Sequence, residues 1–413
     1  MTQTEITPPQ AVAAGARLLH IGPMKTGTTS LQRALAGQRK ALLRHGVRYP
    51  GTSFNHRRPI GAFLGLRVLK QNRTGAVGRA AAKLESDPSV PKMRAWKRLL
   101  RETKREKSRR VVISHELAAD APDASARRLV DALGHNTHVV VTLRSSESVL
   151  PSLWAQLLKS GLDVPLDTWA QQLLDNDPAV PERTRRQFDH AELVERWSSI
   201  TGPENLTVIV ADDSQPAHLT QAFETLLGLP EGLLTDFPSD GFSSNRSLRL
   251  AEAELVLQLN AMCKEIGVDW GTYIRLVQAG SVRRLRKVRV PRSDEARVQL
   301  PSWARERCHE LGADAAHRIA STGVNVIGDL NALARPQTLD RHVEADLTDV
   351  PVDVAIEALR GMLLGALNND TVIGSDMNRL EPAQRAESLF STRELALALR
   401  NKALHKITKS TPT

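Results

Sequence analysis

The chain predicts an α/β protein: a parallel β-sheet flanked by helices on both faces, with a helical C-terminal region. Three observations predict it. The runs Arg17 to Gly22, Arg110 to Ser114, His138 to Leu143 and Leu206 to Val210 are apolar along most of their length. Strands buried on both faces read that way, whereas half-exposed strands alternate. Helical patterns lie between these runs, and strands alternating with helices imply parallel pairing. After about residue 248 the strand signal disappears, and residues 248–330 read as helical.

The elements follow in order. Residues 1–15, with Pro8-Pro9, read as a disordered lead. The first strand ends at Gly22. A helix is expected from about Thr28 to His45, with Leu31, Leu35, Leu42 and Leu43 as its apolar positions and Gly46 as its C-cap. Val47-Arg48-Tyr49 forms a short second strand, closed by Pro50-Gly51 and followed by a polar loop, Thr52 to Arg58, that contains His56. Residues 59–70 read as helical, 71–91 as weakly patterned, and 92–107 as a strongly basic amphipathic stretch. Further helices are expected at 123–133, from about Glu147 to Ser160, and at 216–227. Residues 335–352 read as a linker and 353–403 as one or two helices, with a basic, frayed end. The expected division is therefore a lead at 1–15, a main domain at 16–250, a helical region packed on it at 251–334, and a linker with a helical extension at 335–413.

Bulk composition narrows the function classes. The 413 residues carry a formal charge of +10, with 25% charged and 41% hydrophobic residues. That is an ordinary soluble balance, and the positive excess favours anionic ligands. No zinc-finger spacing or aromatic-rich RNA-binding motif occurs, so nucleic acid is not an expected partner. The two cysteines, Cys263 and Cys308, lack any metal-ligand spacing and read as unpaired thiols, and no metal is expected. Met1 to Gln10 has neither a basic n-region nor an apolar h-region, and no stretch approaches the ~20 apolar residues of a membrane span. A soluble, cytoplasmic protein is the expectation.

The chemistry concentrates in two motifs. His20-Ile21-Gly22-Pro23-Met24-Lys25-Thr26-Gly27-Thr28-Thr29-Ser30 joins a strand to a helix through a small-residue loop. Backbone N–H groups at a helix start have no internal partner and point at an anion. Lys25 adds a full charge, and Thr28, Thr29 and Ser30 add hydroxyl donors. An ATP-binding P-loop places its Lys after the second Gly; here Lys25 precedes Gly27. In the second motif, Arg144 sits where the strand 138–143 ends, and Ser152 lies eight residues on in the next helix. An Arg and a hydroxyl so placed can hold one phosphate between them.

Together these motifs resemble those of the sulfotransferases that use 3′-phosphoadenosine 5′-phosphosulfate (PAPS), and of their bacterial branch in particular. In that family a Lys-containing loop holds the 5′-phosphosulfate, and an Arg…Ser pair of this separation holds the 3′-phosphate. Lys25, Thr26, Gly27, Thr28, Thr29 and Ser30 match the first element, and Arg144 and Ser152 match the second. Further similar blocks are Gly46 to Pro50, Val112 to Glu116, Phe188-Asp189 through Trp197 with Gly202 to Leu206, and Phe223 to Leu229. Ser243 to Leu248 stands where the family places a late polar loop, which brings in Arg246 as a cofactor contact. The likeness spans about residues 17–250.

The resemblance implies a P-loop-like sulfotransferase fold, PAPS as cosubstrate, 3′-phosphoadenosine 5′-phosphate (PAP) as product and no metal. The implied acceptor is a hydroxyl on a small molecule, glycan or glycolipid. Lys25 would neutralise the leaving oxygen. The acceptor's proton needs a base, and the family uses His in some branches and Glu in others. Glu116, directly beyond the strand 110–114, is the first candidate, His56 the second and His115 the third. The basic run Arg283 to Arg292 reads either as a solvated helix or as a contact for an anionic acceptor or a membrane surface. The C-terminal helices suit packing or homodimerisation. Two other classes stay open: a P-loop phosphotransferase, for which Asp212-Asp213 would imitate the metal ligand, and a non-catalytic nucleotide-binding scaffold.

Overall fold

The computed structural model describes residues 11–64, 66–68, 84–86, 93–178, 180, 182–238, 246–337 and 349–367. Eight strands occur among them: β1 (Arg17–Ile21), β2 (Val47–Arg48), β3 (Leu66–Val68), β4 (Leu84–Ser86), β5 (Arg110–Ser114), β6 (Thr137–Leu143), β7 (Leu206–Val210) and β8 (Asn325–Ile327). Six form one sheet in the order β2-β5-β1-β6-β7-β8, and every pair in it is parallel. β3 and β4 pair antiparallel, apart from the main sheet. The α/β architecture expected from sequence is therefore the one observed.

Successive side chains of a strand point to opposite faces, and both faces are covered here. Leu19, Ile21, Val111, Ile113, Val139, Val141, Val208 and Val210 pack with Leu129, Trp197 and Ile319 on one side. Leu18, Val112, Val140 and Ile209 pack with Leu31, Leu35 and Phe223 on the other. This is why the strands read as unbroken apolar runs. A third core, built from Leu150, Trp154, Leu158, Leu257, Tyr273, Val277 and Cys308, binds the C-terminal helices to the helix Ser146–Leu158.

β5 and β6 flank β1 on opposite sides, so the chain leaves β1 in both directions. The carboxyl ends of strands at such a switch point are where ligands of open α/β sheets lie. Lys25 follows β1, Glu116 follows β5 and Arg144 follows β6.

Several elements differ from the sequence reading. The first helix is broken into Thr28–Gly37 and Arg39–Arg44 at Gln38, whose amide donates to the Leu233 carbonyl at 3.1 Å. Within the segment read as a lead, the Val12 N–H donates to the Leu226 carbonyl at 2.9 Å. β8 adds a strand from a region read as wholly helical; it is three residues long and lies at the sheet edge. Helix Val352–Leu367 is present, and residues 338–348 and 368–413 of the expected linker and extension, like residues 1–10, lie outside the described residues.

The C-terminal helices are locked closely together. Residues 270–287 form one helical run whose middle, Ile274–Val282, is π-wound, a local irregularity often found beside functional sites. Helix Val352–Leu367 crosses it at Gly280, where a Cβ would come within 2.6 Å of the Gly361 carbonyl oxygen. Only glycine permits that approach.

Candidate functional site

The loop after β1 is pinned from below. A Cβ at Gly22 would lie 2.5 Å from the Thr142 hydroxyl, so β1 and β6 meet here only because position 22 has no side chain. Thr26 turns inward: its hydroxyl donates to the Pro23 carbonyl at 3.0 Å and pairs with Thr142 Oγ1 at 3.1 Å. Of the loop residues matched to the phosphosulfate grip, Thr26 thus has its hydroxyl spent on holding the loop. The chain of polar contacts continues from Thr142 to His20 Nε2 at 3.2 Å, from His20 Nδ1 to Ser114 at 2.8 Å, and from Ser114 to Gln32 at 3.0 Å. Burial pushes the His20 imidazole down to about 3, so it stays neutral.

Above this network the backbone bends sharply. Lys25 has φ 74° and Gly27 φ 87°. The left-handed region costs a non-glycine residue on the order of 1–2 kcal/mol, and alternating backbone of this kind makes anion-binding nests. Helix Thr28–Gly37 starts at Gly27 with no side-chain cap. Thr29 and Ser30 are exposed, and Thr28 is buried. Lys25 itself is largely enclosed, and its ammonium has no ion pair or hydrogen bond among the described residues. Burial, with the Arg286 charge nearby, holds it below its ordinary range.

Arg144 ties the second motif to the first. Its Nη1 donates to the Lys25 carbonyl at 3.1 Å, and its Nη2 pairs with Asp213. Its Nε is buried without a partner among the described residues, and so is the neighbouring Ser145 hydroxyl. Ser152 lies two turns into helix Ser146–Leu158 with its hydroxyl 3.2 Å from that of Ser247. Arg144, Ser152, Arg246, Ser247, Arg249 and Arg297 line one cleft of about 560 Å³. Asp213 therefore serves as a counter-ion to Arg144, not as the imitation metal ligand that a phosphotransferase would need. No cluster of metal-ligating side chains occurs among the described residues.

Arg246 reaches the cleft wall but is committed elsewhere. Its guanidinium grips the fully buried Glu252 with two bonds of 2.7 Å. Glu252 also accepts from Arg289, which in turn pairs with Glu295 and Asp353. Arg284 pairs with Glu357. Hence the basic run 283–292 is not one solvated face: Arg284 and Arg289 point into the protein, and Arg283, Lys287 and Arg292 point out. Ser243 to Asn245 lie outside the described residues.

The three base candidates separate clearly. His56 is 3% exposed, not on an open loop. Its Nδ1 accepts the Ser114 N–H at 3.1 Å, which leaves Nε2 as the protonated nitrogen, 3.0 Å from the Pro50 carbonyl. Burial pushes it down to about 4. With both nitrogens engaged, His56 is a structural tie between β5 and the chain after β2 and has no ring nitrogen free to act as the base. His115 is buried, with Nδ1 accepting the Leu117 N–H at 2.9 Å. Glu116 is partly exposed at the end of β5, with Oε1 3.6 Å from His115 Nε2.

Sequence reasoning missed two charged side chains here and saw a third only as part of a run. Glu147, buried at the start of the helix that bears Ser152, accepts from Arg305, His309 and the Gln337 N–H, and so anchors the C-terminal region. Lys159 escaped notice because it belongs to no motif, and Arg286 was read only as one member of the basic run 283–292, although its charge acts on both Lys25 and Lys159.

The sheet order defines a doubly wound α/β protein with the Lys25 loop and Arg144 side by side at its switch point. No family model matches the chain, and no curated protein matches it. Among solved structures it is similar to a sulfotransferase from Alicyclobacillus acidocaldarius, at 16% identity and a TM-score of 0.34, over 60% of this chain and 94% of that one. An overlap that loose assigns no family; the fold stands on its own strand order.

Proposed function

We propose that the chain is a PAPS-dependent sulfotransferase that moves a sulfuryl group to an acceptor hydroxyl and releases PAP. One observation supports this above the others: two anion-binding elements lie side by side at the ends of β1 and β6, joined by the Arg144 to Lys25 carbonyl bond. A ligand with two separate phosphate positions suits that pair, and a single triphosphate does not require it. The donor set fits such a ligand. Among the described residues, Arg144 Nε and Ser145 Oγ are buried without an acceptor, the helix at Thr28 has no side-chain cap, and the Lys25 ammonium has no ion pair. Buried polar groups left in that state cost free energy unless something completes them.

In this reading Arg144 and Ser152 hold the 3′-phosphate, and the loop 25–30 holds the 5′-phosphosulfate. As the bond between sulfur and the bridging phosphate oxygen breaks, electrons collect on that oxygen, where Lys25 neutralises them. The bond from sulfur to the acceptor oxygen forms as the acceptor proton leaves, and Glu116 is the base we assign to take it. Acceptors are hydroxyls of small molecules, glycans or glycolipids.

Calorimetry of the full chain with PAP, against ATP with Mg²⁺, tests the reading, followed by transfer from labelled PAPS to candidate acceptors. Binding of PAP in preference to ATP with Mg²⁺ is expected. Binding of Mg²⁺-ATP without PAP would overturn it, and PAP binding without transfer to any acceptor would leave a scaffold. Turnover by Glu116→Gln equal to the wild type would remove Glu116 as the base.

A further inference from the structure

Helix Val352–Leu367 is apolar on two faces, and the described residues cover one of them. The inner face is small: Val354, Ala358 and Gly361 are buried. A Cβ at Gly361 would lie 2.6 Å from the Gly280 carbonyl, and one at Gly365 2.5 Å from the Arg275 carbonyl oxygen. The Ser281 hydroxyl donates to the Ala358 carbonyl at 2.8 Å, and Arg284 pairs with Glu357. These contacts hold the helix to the π-wound segment and fix the direction in which its other face looks.

The outer face is large and bare. Val352 is 73% exposed, Ile356 50%, Leu359 57%, Leu363 65% and Leu367 78%. Single exposed aliphatic residues are ordinary on a monomer. Here half of the exposed large hydrophobic residues among those described stand on one helix. The first four are spaced four, three and four residues apart, the 3.5-residue period at which one helix keeps facing another. A helix apolar all round is a buried helix, so the outer face calls for a second cover.

The rim of the stripe selects the cover. Asp353 and Arg360 are exposed beside it, opposite in sign and seven residues apart, hence on the same edge. A second copy of the helix laid antiparallel across the stripe has a two-fold axis between residues 357 and 358. Val352 then meets the partner subunit's Leu363, and Ile356 meets the partner subunit's Leu359. Asp353 stands across from the partner subunit's Arg360, and the symmetry makes every contact twice. Parallel pairing sets that edge against Ala355 and Met362 and pairs neither charge. Side chains exposed to this degree give roughly 500 Å² of apolar surface per protomer, and with the rim about 1,200 Å² in the pair, the low end of specific interfaces. A membrane surface suits the face less well. Helices that lie on anionic lipid carry Lys and Arg along their flanks, whereas Asp353 and Glu357 flank this one with Arg360 alone to oppose them.

We propose that this face is the seam of a homodimer, with the same helix of a second copy of the chain packed antiparallel on it. None of these residues lines the cleft of Arg144 and Ser152, so the dimer stands or falls independently of the sulfotransferase reading.

Sedimentation velocity of the full chain tests it, at about 50 μM, above the micromolar dissociation constant that a small seam supports. Twice the chain mass is expected. Leu359→Glu combined with Leu363→Glu places four carboxylates in the seam and should weaken the dimer roughly 100-fold or more, with circular dichroism unchanged because both side chains face outward. Arg360→Glu, which sets like charges across the rim, should weaken it about fivefold. Under oxidation, Val352→Cys mixed with Leu363→Cys should form a cross-linked dimer and Val352→Cys alone should not; the native Cys263 and Cys308 are buried. A full chain monomeric at that concentration overturns the homodimer. Binding to anionic lipid vesicles would then assign the face to a membrane, and association only after removal of residues 368–413 would assign it to the chain's own end. A dimer left intact by Leu359→Glu with Leu363→Glu, or a disulfide formed by Val352→Cys alone, overturns it equally.

Discussion

Arg289 and Lys159 are both buried cations, one within the C-terminal helical region and one at the end of the helix it packs on, and the protein surrounds them in opposite ways. Around Arg289 stand Glu252, Glu295 and Asp353, whose bonds hold its guanidinium above the ordinary range. Around Lys159 stand Arg286, Lys25 and Arg246, which help push it down to about 7. A cation with its counter-charges in place fixes helices against one another. A cation whose neighbours repel it carries the cost of burial without that return. Net charge alone, +10 along the chain, does not distinguish the two.

The sharpest way to break this contrast is to unbalance the paired side. Glu252→Gln leaves Arg246 and Arg289 without their shared counter-charge, and breaking a buried pair from one side costs about 3–5 kcal/mol. A urea midpoint unchanged from wild type would show that the network is not structural. On the unpaired side, Lys25→Met should lower transfer from labelled PAPS by roughly 10²–10³-fold, the scale set by loss of one charge-stabilising donor. Its melting temperature should stay level or rise; a large fall would make Lys25 a structural residue instead.

Lys159→Met sharpens the comparison through pH. The folded value near 7 lies below the ordinary 10.5, so between those values the unfolded chain binds more protons and stability rises with pH. Below pH 7 the full penalty is present. Removing the ammonium should therefore stabilise the protein by roughly 4 kcal/mol at pH 7 and flatten the rise toward pH 10. A steeper rise in the variant would refute the assignment. The smallest effect expected is for Ser152→Ala, which should weaken PAP binding by about fivefold, near the 1 kcal/mol of one hydrogen bond. Unchanged binding would reduce the Ser152–Ser247 contact to packing.

The strands after Arg110, Thr137 and Leu206 were legible because burial on both faces leaves an apolar signature that needs no context. β8 was not: at three residues, Asn325–Ile327, it borrows its strand character from β7 beside it. The Lys25 loop and the Arg144…Ser152 spacing were legible because phosphate binding at strand ends has local sequence rules. His56 misled because a polar loop sequence says nothing about which neighbours close over it; the Ser114 backbone did so. Lys159, Arg286 and Glu147 act through positions that only the tertiary fold brings together, and a basic run reads the same whether its side chains face water or Glu252.

Lys25 holds a backbone angle of φ 74° that glycine or asparagine adopts more readily. A laboratory library selected only for heat resistance should drift toward those residues at position 25, while one selected for nucleotide capture should keep lysine. The two selections would pull one codon in opposite directions, and the divergence between them would measure how far this loop is shaped by its ligand as opposed to its own folding.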